Sequence, residues 1–272
     1  MGFYQALPGF TRQLRHSRYC SGRVAHTPGR LFTNTTGGLV SINGYSQRID
    51  RHRLSNRTRV APQFVMSVVT ETAAGEVVGI VGAGRIGQAL ARRAAKAGIS
   101  TLIGSRRGPY SLATFAREAG SLVRPAAILE AVQPEIVVLA VPWTNVADAL
   151  LNISDWEGRV LIDATNPDSV EALASLDGKT SSEVVAEFAP GAHLVKAFNT
   201  LPPELLAADP AEGSGRRVVF FSGDHPRAKA IVGSLIARIG FAGVDLGGLA
   251  DGGRLQQCPG SPLAGLNLIR LS

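Results

Sequence analysis

Val77–Gly87 reads VVGIVGAGRIG. Val77 to Val81 is an uninterrupted apolar run ending in glycine, the pattern of a strand buried on both faces of a sheet. Gly82, Ala83, Gly84, Arg85, Ile86 and Gly87 then spell GxGxxG, and an alanine-rich stretch from Gln88 to Ala97 reads as a helix stopped by Gly98. A GxGxxG by itself is weak, and its meaning comes from the strand before it and the helix after it. In that setting Gly82 makes the tight turn, Gly84 lets the backbone approach a pyrophosphate, and Gly87 lets helix and strand pack closely. The helix start offers N–H groups and a positive dipole end to an anion. The alternative is a glycine-rich turn with no ligand.

Working outward, strands are predicted over residues 100–103, 136–141, 160–163, 193–198, 217–221 and 242–246. Helices are predicted over 111–119, 126–132, 145–151, 182–188, 203–208 and 226–239. Strands alternating with helices predict an α/β fold: a Rossmann-type, doubly wound, mostly parallel sheet in a single domain, residues 66–272.

Residues 1–65 differ in character. They hold ten arginines, no lysine and one acid, Asp50. The remaining 207 residues carry 18 basic and 20 acidic side chains, so the leading segment stands at +9 and the rest at −2, which together make the net +7. That distribution argues against a nucleic-acid partner for the domain. The segment lacks a stable apolar period and reads as a disordered basic extension. Three origins fit: an organelle transit peptide, a basic tail, or an upstream start preceding a true start at Met66, which is the preferred expectation. No apolar run of about 18 residues predicts a membrane helix. Cys20 and Cys258 lie too far apart, in segments too different, to suggest a disulfide framework or a zinc site. Reduced thiols and a cytoplasmic location are expected.

The stretch Leu102–Pro109, LIGSRRGP, ends the second strand about 20 residues after the glycine loop, where a ribose-reading acid is usual. Here Ser105 can donate a hydrogen bond, and Arg106 and Arg107 can hold a phosphate dianion. The stretch argues for NADP(H) over NAD(H). The competing reading is a pair of solvated surface arginines.

Ligands of open α/β sheets bind outside the carboxyl ends of the strands. Ala140, Val141 and Pro142 stand at the end of the third strand and Asn166 just past the fourth, which makes them cofactor-binding candidates. Trp143, Asn199 and Thr200 are candidates to line the site of hydride transfer. Trp143 suits a flat ring or simple packing, and Asn199 and Thr200 suit a carboxamide or a helix cap. His193 reads as structural, and Lys196 lies inside a strand. The chain has no GxSxG, HExxH or CxxC. With no clear general acid or base, direct hydride transfer between stacked rings is the most economical chemistry.

The chain resembles the F420-dependent NADP oxidoreductases and the related NADPH-binding domains of STEAP-type metalloreductases. The resemblance rests on GIVGAGRIGQALA, LIGSRRGP, VVLAVPW, VLIDATNP, VKAFNTLPP, FFSGD and DLGGLADGGRLQQCPGSPLAGLNLI, spanning roughly 77–270. More loosely, the first half is similar to the N-terminal domain of pyrroline-5-carboxylate reductases. The resemblance implies NADP(H) at Gly82–Gly87 and Ser105–Arg107. It also implies coenzyme F420 or another small-molecule electron acceptor near Trp143 and Asn199–Pro202, and a homodimer. Reduction of a flavin, quinone or ferric chelate, and a non-catalytic NADPH sensor, are the alternatives.

Overall fold

In a computed structural model, residues 76–153 and 155–271 are described. The expected basic extension, residues 1–65, lies outside the described residues. The elements in chain order are β1 (Val77–Val81), α1 (Arg85–Lys96), β2 (Ser100–Gly104), α2 (Ala113–Ala119), β3 (Val123–Ala126), α3 (Ile128–Ala131), β4 (Ile136–Leu139), α4 (Val146–Leu150), β5 (Val160–Asp163), α5 (Val170–Ala174) and α6 (Ser181–Glu187). They continue with β6 (His193–Ala197), α7 (Pro203–Ala207), β7 (Ala211–Glu212), β8 (Gly215–Gly223), α8 (Pro226–Arg238), β9 (Ala242–Asp245), α9 (Gly252–Gln256) and β10 (Ile269–Leu271).

The strands run β3-β2-β1-β4-β5-β6 across the sheet, all parallel. This is the Rossmann order, with the chain switching direction between β1 and β4. Antiparallel β8 extends the sheet beyond β6, and β9 runs parallel to β8. Alternate residues of the central strands feed two cores. Ile80, Val138 and Ile162 pack with α1 and α8 on one face. Val81, Val137, Leu139 and Leu161 pack with α3, α4 and α6 on the other. Both faces are therefore covered, which is why these strands read as continuous apolar runs.

One expectation is corrected. Residues 126–132 were expected as one helix, but Val123–Ala126 is a strand and only Ile128–Ala131 is helical. Arg124 and Pro125 hide the strand pattern. Pro125 is tolerated because, among the described residues, β3 is the outer edge of the sheet, where no further neighbour needs its missing N–H. The short elements α5, α9, β7 and β10 also go beyond the expected set.

Candidate functional site

The carboxyl ends of β1, β2 and β4 meet at the switch point. Gly82, at φ +111°, donates its N–H to Gly104 O at 2.9 Å, and a Cβ on it would lie 2.2 Å from Ala140 O. Only glycine can let these three strand ends converge so closely. A Cβ on Gly84, by contrast, would meet nothing within 4 Å. The N-terminus of α1, twelve residues long, has no side-chain cap and no acid in its first turn, while Arg93 and Lys96 occupy its last turn. The helix is thus left with a positive start and a charge-balanced end.

A cavity of about 260 Å³ opens there. Gly82, Ala83 and Gly84 line it, with Ser105, Arg106 and Arg107 on one side and Ala140, Val141 and Pro142 on the other. Residues predicted from three separate stretches of sequence therefore share one cavity. Ser105 Oγ lies 3.3 Å from Ser111 Oγ. Both guanidinium groups are exposed, and that of Arg106 stands 4.0 Å from the Asp148 carboxylate.

Other candidates lie elsewhere. Ile86 packs against the core, and Arg85 forms an exposed ion pair with Glu204 of α7. Gly87 forms the helix–strand contact, buried beneath the loop. Trp143 opens a short 3₁₀ turn, Trp143–Asn145, and packs half-buried on the second core. It lines a neighbouring cavity of about 390 Å³, together with Leu176, Val184 and Phe188.

Asn166 and Asn199 are joined to each other. Asn166 Nδ2 donates to Asn199 O and Asn199 Nδ2 to Asn166 Oδ1, each at 2.8 Å. Asn199 Nδ2 also donates to Gln256 O at 2.7 Å, and its Oδ1 accepts from Gln256 Nε2 at 3.2 Å. Thr200 is buried, and its carbonyl accepts from Gly265 N at 2.7 Å.

Sequence reasoning missed Ile128, Asn145 and Ala149, which also line the loop cavity. Asn145, at the N-cap position of α4, and Ala149 within it stand one helical turn apart, a spacing that places them on one face. It also missed a buried charged cluster at the ends of β5 and β6. Asp163 and Lys196 are register partners, both 0% exposed, with Lys196 Nζ 3.2 Å from Asp163 Oδ2. The visible signal was a lysine inside an apolar strand. Cys258 is a free thiol, pushed up in pKa by burial, an effect opposed by the charge of Lys196. Among the described residues no group of histidine, cysteine and carboxylate side chains is arranged to hold a metal ion, and no helix is long and apolar enough to cross a membrane.

Comparison with known proteins agrees with this architecture. Residues 77–167 match the family model described as NADP oxidoreductase, coenzyme F420-dependent. The chain is 32% identical over 183 residues to metalloreductase STEAP3 of Rattus norvegicus, covering 67% of this chain and 36% of that protein. It thus spans about a third of the length of this curated relative. Among solved structures, the Sinorhizobium meliloti protein SMa0349 is 44% identical with a TM-score of 0.68, covering 73% of this chain and 97% of that one. A protein assigned as an F420-dependent NADP reductase in Arthrobacter sp. FB24 has 24% identity and a TM-score of 0.57. It covers 72% of this chain and 100% of that one, and it supports the fold alone. The glycine loop between β1 and α1, the parallel sheet order and these matches together make the chain a member of the coenzyme F420-dependent NADP oxidoreductase family.

Proposed function

We propose that the protein transfers a hydride between NADP(H) and a deazaflavin, coenzyme F420, or a similar small-molecule acceptor. The observation that carries this reading is the convergence of Gly82–Gly84 with Ser105, Arg106 and Arg107 on one cavity, with no carboxylate at the end of β2. The residues fit the dinucleotide. The open space beside Gly84 and the uncapped start of α1 suit a pyrophosphate. The two guanidinium groups and Ser105 suit a 2′-phosphate. Ala140, Val141 and Pro142 supply a neutral wall. Asn166 and Asn199, tied together at the ends of β5 and β6, shape the far side of the crevice. When bound, NADPH supplies the hydride, and the chain contributes orientation and exclusion of water. Arg106 exchanges its loose contact with Asp148 for the stronger charge of a phosphate. Trp143, one residue beyond the cavity wall, belongs with the acceptor side in this reading.

A second reading, reduction of a flavin or a ferric chelate, is favoured by the similarity to the metalloreductase. Family membership also supports a homodimer, checked by the solution mass of the purified chain. A cytoplasmic setting is consistent with the free thiol of Cys258.

The test mixes the full chain with NADPH and oxidised coenzyme F420 and follows loss of deazaflavin absorbance, with NADH as control. Rapid loss with NADPH and not with NADH is expected. No loss with F420, together with rapid reduction of flavin or ferric citrate, would replace the first reading by the second.

A further inference from the structure

Asp163 and Lys196 are fully buried yet fully bonded. Lys196 Nζ donates to Asp163 Oδ2 at 3.2 Å, to Thr165 O at 3.1 Å and to Ser181 Oγ at 3.3 Å. These three acceptors use all three ammonium protons. Asp163 Oδ2 also accepts from Ser182 Oγ at 2.6 Å. Its Oδ1 accepts from Thr165 N at 2.9 Å and Thr165 Oγ1 at 2.6 Å. Thr165 is therefore gripped at its N–H, its hydroxyl and its carbonyl by one ion pair. The next residue is Asn166, whose amide is locked to Asn199, and Asn199 is locked in turn to Gln256 of α9.

Stability alone is a poor account of this cluster. A buried ion pair contributes little beyond what well-packed apolar side chains of the same volume would contribute. What an apolar pair could not do is fix the backbone of Thr165. That backbone leaves the carboxyl end of β5, in the second half of the sheet. The adenosine end of a dinucleotide belongs to the first half, with Arg106 and Arg107, and the nicotinamide end to the second. Lys196 has no exposed surface, so it touches neither ligand nor acceptor.

We propose that Asp163 and Lys196 are positioning residues: their buried pair holds the Thr165–Asn166 wall in the place required by the nicotinamide half of NADP(H). This rests on the dinucleotide reading above and deepens it. The adenosine half, bound at the glycine loop and Ser105–Arg107, is indifferent to the pair.

Titration calorimetry on the full chain separates the two halves, with NADPH as the whole ligand and 2′,5′-ADP as the adenosine half. In the double variant Asp163→Asn, Lys196→Met, no charge is left buried alone. The dissociation constant for NADPH is expected to rise about tenfold, and that for 2′,5′-ADP to change by less than about twofold. Thr165→Val leaves both charges in place and removes only the hydroxyl bond to Asp163. It is expected to show the same split in smaller measure, and it decides the matter if the double variant does not fold. Equal weakening of both ligands, or no change in either, would overturn the positioning role. A wild-type chain that binds neither ligand would overturn the dinucleotide reading and the positioning role with it. A wild-type chain that binds both, with variants that do not split them, overturns the positioning role alone.

Discussion

A Cβ on Gly87 would lie 1.9 Å from the carbonyl oxygen of Gly82. The start of α1 thus rests directly on the loop that precedes it, and this contact fixes the helix axis toward the cavity. Gly87→Ala is expected to destabilise the protein by about 3 kcal/mol, since backbone rather than a flexible side chain must move. Urea denaturation measures it. A loss below the error of that experiment would show that the helix can shift freely.

Gly84 predicts the opposite pattern. Its added Cβ would meet only open space, and its φ of −74° suits alanine. Gly84→Ala should change stability by less than about 0.5 kcal/mol. It should weaken NADPH binding on the order of tenfold or more, because the methyl group would occupy the space beside a pyrophosphate. An unchanged dissociation constant would place the phosphates elsewhere.

The start of α6 carries a reciprocal cap. Thr180 Oγ1 accepts from Glu183 N at 3.2 Å, and Thr180 N donates to Glu183 Oε2 at 2.6 Å. Thr180→Ala should cost about 1 kcal/mol. The bond from Thr180 N, ahead of the opposing effect of burial, holds the Glu183 carboxyl below its ordinary value of 4.5. A depressed folded-state pKa means that the stabilisation is complete above the unfolded value and is lost as pH falls through the folded one. Glu183→Gln should therefore be less stable than wild type at neutral pH, with the gap closing below pH 4.5. A gap independent of pH would show that the charge of Glu183 contributes nothing. Because Glu183 is only half-buried, the effect should shrink with added salt.

The sequence carried the frame of the fold well, and the reasons are local. The apolar runs 78–81 and 160–162 are buried on both faces, so composition alone exposes them. Edge strand β3 escaped because Arg124 and Pro125 obey no core pattern, and β10 because its three residues pair only with β8. The loop cavity was legible because its parts follow strand ends in order. Trp143 was less so: the 3₁₀ turn after Pro142 carries it onto the second core, and nothing in VPW encodes that direction. The Asp163–Lys196 pair was illegible because its members are 33 positions apart and meet only through the register of β5 with β6.

Cys258 is half-buried, and burial pushes its thiol above the usual value, outweighing the opposing charge of Lys196. In a Cys20→Ser background, alkylation by iodoacetamide at neutral pH should be slower than that of a free thiol, on the order of tenfold, and should accelerate only at higher pH. Folding stabilises the neutral thiol, so its contribution is present below the unfolded pKa and is lost as pH rises through the folded one. Alkylation at the rate of a free thiol would show an accessible cysteine that burial does not protect.

The most direct test of the site is the affinity of the full chain for NADPH and for NADH, before and after Arg106→Ala with Arg107→Ala. Wild type should prefer NADPH. The double variant should weaken NADPH on the order of a hundredfold and NADH by less than about threefold, because only the former carries the 2′-phosphate. Equal losses for both nucleotides, or no preference in the wild type, would contradict the assignment of Ser105–Arg107 as the 2′-phosphate site.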